Sequence, residues 1–286
     1  MRTVRRRGRG AGRCRAWSGP CVDDVRWSHV APGPGTYDRW PRSLPSPGRG
    51  EVGRVRHSVR PMRIGILGTG NVGRALAGAW NAAGHEVVLG SRKPDETAAH
   101  GGNVPVVSTE AAVAAADVVV NATPGTASLA LLTSVGAPAL AGKVLLDVAV
   151  GFTDAGDLSH LGESLGEELQ RAFPDTRVVK TLCTLDRLVM IAPDSLEGPS
   201  TVFLSGDDPT AKDTVRGLLH DLGWSPDSVL DLGGIATARG QEHFSLLFIP
   251  VAQAVGSYRF GLRVVRLSED VPQSYEEART AAEAAS

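Results

Sequence analysis

The stretch Ile64-Gly-Ile-Leu-Gly-Thr-Gly-Asn-Val-Gly-Arg-Ala-Leu-Ala-Gly-Ala-Trp80 decides the fold. Arg63–Leu67 is a short apolar run bounded by glycine and reads as a buried strand. Asn71–Ala83 has helical character and stops at Gly84, a favourable C-cap. Between them, Gly68-Thr-Gly-Asn-Val-Gly73 matches G-x-G-x-x-G. Glycines are common in a chain that holds 34 of them, so the spacing alone says little. The strand before it and the helix after it give it meaning. Gly68 would make the tight turn, Gly70 would let backbone approach a pyrophosphate, and Gly73 would let helix pack on strand. The free N–H groups and positive dipole at the start of that helix suit phosphates.

Working outward, the same alternation continues. Strands are expected at Glu86–Leu89, Pro105–Val107, Asp117–Asn121, Lys143–Val148 and Arg177–Lys180. Helical segments are expected at Thr109–Ala116, Thr126–Val135 and Leu161–Phe173. Strands fed by helices, with runs apolar on both faces, imply a parallel sheet covered on both sides. The fold class is therefore α/β, a Rossmann-type doubly wound sheet over about 62–183, with a small C-terminal α+β domain over 184–266. In that second part Thr201–Ser205 reads as a strand, and Asp207-Asp-Pro-Thr opens a helix with proline in its first turn. Ser228–Leu232 reads as a further short strand. Gln241–Tyr258 spaces Phe244, Leu247, Phe248, Val251 and Val255 as a buried helical stripe that Pro250 should kink. Residues 267–286 read as a flexible tail.

The net charge of −1 over 286 residues hides an asymmetry. Residues 1–61 hold 14 Arg, no Lys and 4 acidic residues, a balance of +10, so the remainder carries −11. This leader is rich in Arg, Gly and Pro and has no apolar period, so it reads as disordered. Its charge would suit a nucleic-acid-binding arm. No apolar stretch follows the arginines, which excludes a secretory signal. Arginine without lysine favours a third reading, a reading frame whose start is properly Met62, and nucleic acid is not an expected partner. One cysteine after residue 61, Cys183, supports neither a disulfide framework nor a zinc site. No run of 18 apolar residues exists for a membrane span, and a cytoplasmic protein is expected.

The second strand ends Val88-Leu-Gly-Ser-Arg-Lys-Pro94. An NAD site places Asp or Glu there, where it bonds the ribose hydroxyls. Here Ser91, Arg92 and Lys93 offer a hydroxyl and two cations, and a guanidinium pairs with a 2′-phosphate in fork geometry. The cofactor implied is NADP. After the fourth strand, Asn121-Ala-Thr-Pro-Gly125 lies where such sheets bind ligands, which places Ala122, Thr123 and Pro124 by the ribose or nicotinamide, or else in a plain Pro-Gly turn. No catalytic group stands out. His85, His100, His160, His220 and His243 form no nucleophile–base pattern, and no metal site is evident. Hydride transfer between two bound heterocycles needs orientation and exclusion of water more than an acid or base.

Met62-Arg-Ile-Gly-Ile-Leu-Gly-Thr-Gly-Asn-Val-Gly73 together with Gly84-His-Glu-Val-Val-Leu-Gly-Ser-Arg92 resembles the coenzyme F420-dependent NADP oxidoreductase family, in its actinobacterial NADPH-dependent F420 reductase form. Arg177-Val-Val-Lys-Thr-Leu-Cys-Thr184, Val202-Phe-Leu-Ser-Gly-Asp-Asp208 and Leu232-Gly-Gly-Ile-Ala-Thr-Ala-Arg-Gly-Gln-Glu242 extend the resemblance. It implies hydride transfer between NADPH and the deazaflavin F420 in a cleft between two domains. Thr69, Gly70, Asn71 and Val72 would line the pyrophosphate, with Ser91 and Arg92 on the 2′-phosphate. Cys183 stands where the family usually has Asn, which puts the second substrate in question more than NADP. Cys183, Arg239 and His243 are the residues read toward that substrate. Reduction of a small imine or carbonyl compound is the alternative, with Cys183, His243 or Tyr258 as proton donor. A non-catalytic NADP sensor is a third reading. The last apolar helix offers a face for a homodimer.

Overall fold

The computed structural model describes residues 61–98, 101–266 and 275–284. The leader expected over 1–61 lies almost wholly outside the described residues, as do His100 and all of 267–274 and 285–286.

Six parallel strands and their crossovers follow the expected order. β1 (Arg63–Leu67) leads into α1 (Asn71–Ala83), then β2 (Glu86–Ser91) and the short α2 (Pro94–Thr97). β3 (Val106–Ser108) runs directly into α3 (Thr109–Ala115), which Ser108 caps by accepting from the Ala111 N–H. β4 (Val118–Asn121), α4 (Gly125–Val135), α5 (Ala137–Leu140) and β5 (Val144–Asp147) come next. α6 (Leu165–Ala172) opens on a full capping box, Ser164 with Glu167, and precedes β6 (Arg177–Thr181). α7 (Arg187–Ile191), β7 (Val202–Ser205), α8 (Pro209–Asp221) and β8 (Val229–Asp231) follow, and α9 (Ala238–His243), α10 (Ser245–Val255) and α11 (Tyr275–Ala284) close the chain.

All eight strands join one sheet in the order β3-β2-β1-β4-β5-β6-β7-β8. Pairings are parallel except β6 with β7. Strand order reverses between β1 and β4, the switch point where such sheets open a crevice. Alternate residues of each central strand enter opposite cores, because successive side chains point to opposite faces. Val118, Val120, Val144 and Leu146 pack under α1, α7 and α8, while Val119 and Leu145 pack under α3 to α6. This is why Val-Val-Val and Val-Leu-Leu are apolar at every position. Two indoles tie the first layer together: Trp80 Nε1 donates to Leu218 O and Trp224 Nε1 to Met190 O, both at 3.0 Å.

β7 and β8, from the stretch 184–266, extend the sheet past β6. Two expectations are corrected. The apolar stripe of 241–258 is split between α9 and α10 and is not buried: Leu247 and Val255 are 54% and 59% exposed, and Pro250 sits inside α10 without ending it. Residues 275–284, expected in a flexible tail, form α11.

Candidate functional site

The crevice at the switch point is an open cleft of about 760 Å³. Its walls hold Gly68, Thr69, Gly70, Asn71, Val72, Ser91, Arg92, Lys93, Ala122, Thr123 and Pro124, with Gly90, Thr97, Thr109, Ala127, Ala130, Leu131 and Ser134. The loop after β1, the end of β2 and the loop after β4 are brought together although they are far apart in the chain.

The glycines divide their work. Gly68 sits at φ +112°, and a Cβ there would lie 2.5 Å from Ala122 O. A Cβ on Gly73 would lie 2.1 Å from Gly68 O, so Gly73 lies behind the cleft and permits the loop to close on α1. A Cβ on Gly70 would meet nothing within 4 Å. Its bareness serves the open side of the loop, where backbone is left clear for a ligand. α1 begins at Gly70 with no side-chain cap and no acid in its first turn. Its leading N–H groups and dipole thus face the cleft without an internal anion.

At the end of β2, Ser91 is nearly buried, accepts from the Lys93 N–H at 3.1 Å and lies 2.9 Å from Thr97 Oγ1. Lys93 pairs with Glu96 at 3.0 Å. Arg92 is exposed and has no ion-pair partner among the described residues. Among the described residues no carboxylate and no histidine lines the cleft, and Arg92 and Lys93 are its only charged side chains. A 2′-phosphorylated dinucleotide fits this wall: cations at one end, uncapped N–H groups and a bare glycine in the middle.

Behind the cleft lies a polar network whose members are scattered along the sequence. Asn121, Asp147 and Lys180, at the ends of β4, β5 and β6, are all fully buried. Thr123 Oγ1 donates to Asn121 Oδ1 at 2.6 Å, and Asn121 Nδ2 donates to Asp147 Oδ1 at 2.8 Å and Ser128 Oγ at 3.0 Å. Lys180 Nζ contacts Asp147 Oδ2 at 2.8 Å, Glu242 Oε1 at 2.7 Å and the carbonyl of Ala149. Burial disfavours the charge of Lys180, but the two carboxylates outweigh it and hold its pKa above the ordinary lysine value. The available signal was a charged residue inside an apolar strand, Asp147 after Val-Leu-Leu and Lys180 after Val-Val, since such charges are almost never buried unpaired.

Cys183, Arg239 and His243 stand apart from the cleft wall. The backbone at Leu182 is left-handed, φ +63°, and the Cys183 N–H donates back to Thr181 O at 2.8 Å. This γ-turn ends β6. Cys183 Sγ lies 3.9 Å from Gln241 Oε1, and Gln241 Nε2 donates to Ser205 Oγ at 2.7 Å. The Cys183 residue keeps partial exposure, yet burial of its thiol, with Glu242 and Asp147 nearby and Lys180 opposing them, pushes its pKa up to about 12. Arg239 is engaged with Glu167 at 2.7 Å, and His243 Nδ1 donates to Arg239 O at 2.8 Å. Tyr258 is exposed. His85 sits at the opposite end of β2, accepting from Met62 N–H at 3.2 Å and lying 3.0 Å from Asp221. His160 bridges Ser159 at 2.9 Å and Glu168 at 2.8 Å in the segment after β5. No group of three or more potential metal ligands, and no helix long and apolar enough to cross a membrane, occurs among the described residues.

Residues 63–151 match the family described as NADP oxidoreductase, coenzyme F420-dependent. A candidate F420-dependent NADP-reductase from Arthrobacter sp. FB24, of solved structure, is 39% identical and superposes with a TM-score of 0.68 over 72% of this chain and 100% of its own. A hypothetical protein from Sinorhizobium meliloti is 25% identical, with a TM-score of 0.54 over 72% of this chain and 94% of its own. Metalloreductase STEAP3 of Rattus norvegicus is 34% identical over 191 residues, which is 66% of this chain; the chain spans 37% of that protein's length. The fold and its cleft define a Rossmann-type, NADP-dependent oxidoreductase. Within that class, the chain belongs to the coenzyme F420-dependent NADP oxidoreductase family.

Proposed function

We propose that the protein transfers a hydride between NADPH and a deazaflavin, coenzyme F420. The observation that carries the NADP half is the charge of the cleft: among the described residues Arg92 and Lys93 are its only ionisable side chains, and β2 ends on Ser91 without an acid. Ser91, Arg92 and Lys93 hold the 2′-phosphate, and the first turn of α1 with Gly70 receives the pyrophosphate. Ala122, Thr123 and Pro124 line the ribose and nicotinamide side. When bound, NADPH supplies the hydride; the chain supplies orientation and shelter from water. The family and the Arthrobacter relative support F420 as acceptor. It would approach across the end of β6, where Cys183 follows the strand and Arg239 and His243 lie on α9.

The test is turnover. The purified protein is mixed with NADPH and F420, and the deazaflavin absorbance is followed; its NADPH-dependent bleaching is the expected result. No bleaching, with turnover of an imine or carbonyl compound, would move the acceptor to that class. Tight NADPH binding without turnover of any acceptor would leave a sensor. We further propose a homodimer through α10, on the support of Leu246, Leu247 and Val255, which are 49%, 54% and 59% exposed. Light scattering across a concentration series checks it, and a monomer at all concentrations overturns it.

A further inference from the structure

A single chain of buried hydrogen bonds joins the cofactor cleft to α9. It runs from Thr123 through Asn121 and Asp147 to Lys180, and from Lys180 to Glu242. Glu242 then accepts from the N–H groups of Leu165 at 3.0 Å and Gly166 at 3.2 Å, in the first turn of α6. The core of this chain holds two carboxylates and one ammonium. The surplus negative charge is met by the amides and dipole at the start of α6. Lys180 is the only cation in it, and it contacts both carboxylates and the carbonyl of Ala149. Every other link is a short side chain on a different element.

We propose that Lys180 is a positioning residue for hydride transfer: it holds the Thr123 wall, beside the nicotinamide, in register with α9, beside the acceptor. The inference rests on the reading above, in which the nicotinamide lies by Thr123 and the acceptor by α9. The physical reason is reach. The three strand ends at Asn121, Asp147 and Lys180 fix the Thr123 wall, while α9 is reached from β6 by the Lys180–Glu242 contact and by Gln241 Nε2, which donates to Lys180 O at 3.4 Å. Without the ammonium, Asp147 and Glu242 repel each other, and the two walls part. A displacement of about 1 Å at that distance costs roughly a hundredfold in rate. At the adenosine end of the cofactor site, the side chains that close β2 bond to one another, Ser91 with Thr97 and Lys93 with Glu96, and share no side-chain hydrogen bond with this chain among the described residues.

The experiment uses the full chain with Lys180→Met, which keeps the unbranched apolar stem of the side chain and removes its ammonium. Three quantities are measured: affinity for 2′,5′-ADP, which carries only the adenosine end; affinity for NADPH; and the single-turnover rate of hydride transfer to F420. The expected result is 2′,5′-ADP binding within about twofold of the parent, NADPH binding weakened about tenfold, and hydride transfer slowed roughly tenfold to a hundredfold. A merely structural role predicts a lower melting temperature with an unchanged transfer rate in the folded fraction, or parallel loss of both ligands. Either outcome overturns the proposal. Should Lys180→Met fail to fold, Glu242→Gln, of equal size and with one oxygen kept for Lys180, is read by the same three measurements, and an unchanged rate overturns it. Should the parent protein not reduce F420, the function reading fails; the ratio of NADPH to 2′,5′-ADP affinity in the variant then decides the positioning role without any acceptor.

Discussion

At the end of β1 the chain leaves its polar groups open. α1 starts uncapped, Gly70 presents bare backbone, and Arg92 extends from β2 without an ionic partner among the described residues. At the end of β6, in the same sheet, every polar group is engaged. Asp147, Lys180 and Glu242 satisfy one another and the first amides of α6, away from solvent. The first region is a socket whose hydrogen bonds are left for a ligand to complete. The second is a brace that is complete without one. Substitutions in the socket should therefore alter binding and spare folding, while those in the brace should affect both.

The largest expected effect breaks this division at its one overlap. Gly73→Ala places a methyl 2.1 Å from Gly68 O, so the loop cannot close on α1 and NADPH binding is lost. Gly70→Ala meets no atom within 4 Å; its melting temperature should match the parent while calorimetry shows weakened NADPH binding. Equal melting losses in both would erase the distinction between the two glycines.

Next is the thiol beside the brace. A pKa raised to about 12 means that Cys183 gains thiolate only as the pH climbs toward 12. At pH 8 its alkylation by iodoacetamide should be roughly a thousandfold slower than that of a free cysteine, since only the thiolate reacts. Mass spectrometry of the denatured and native protein reads the ratio, and comparable rates would show that the thiol is not enclosed.

Glu242→Ala tests the brace itself. It leaves Lys180 with one fewer carboxylate and the Leu165 and Gly166 amides without an acceptor. Removing one member of a buried ionic set costs about 3–5 kcal/mol, measurable by urea unfolding. In the socket, Arg92→Ala should raise the Kd for NADPH roughly tenfold and leave NADH unchanged, because a charge-assisted bond to the 2′-phosphate is lost. Equal weakening for both cofactors would remove Arg92 from the 2′-phosphate. The smallest effect belongs to Arg239→Ala. Its bond to Glu167 is close, but the side chain is 46% exposed, and solvent-facing pairs contribute little to stability. The unfolding midpoint should hardly move.

The socket was legible in the sequence because its chemistry is local. Gly68, Gly70 and Gly73 are needed within six residues, and Gly90-Ser-Arg-Lys93 is contiguous. The brace was not, because its partners lie 33 residues apart for Asp147 with Lys180 and 77 apart for Leu165 with Glu242. No periodicity pairs such residues; only the sheet order does. The same cause applies over 184–266. A strand pattern announces β7 and β8 but not the neighbours they choose, and β7 joins β6 by only two paired positions, Lys180 with Ser205 and Thr181 with Leu204. The exposed stripe of α10 shows a related limit: helical spacing of apolar residues gives a face, not what covers it.

The γ-turn at Leu182 has a bearing on how this family can vary. β6 ends by folding back on its own backbone, Cys183 N–H to Thr181 O, about a leucine held at positive φ. The side chain at 183 takes no part in that bond. The turn therefore holds for any residue at 183 that keeps its N–H, while the side chain there sets what packs against Gln241 and beside the brace.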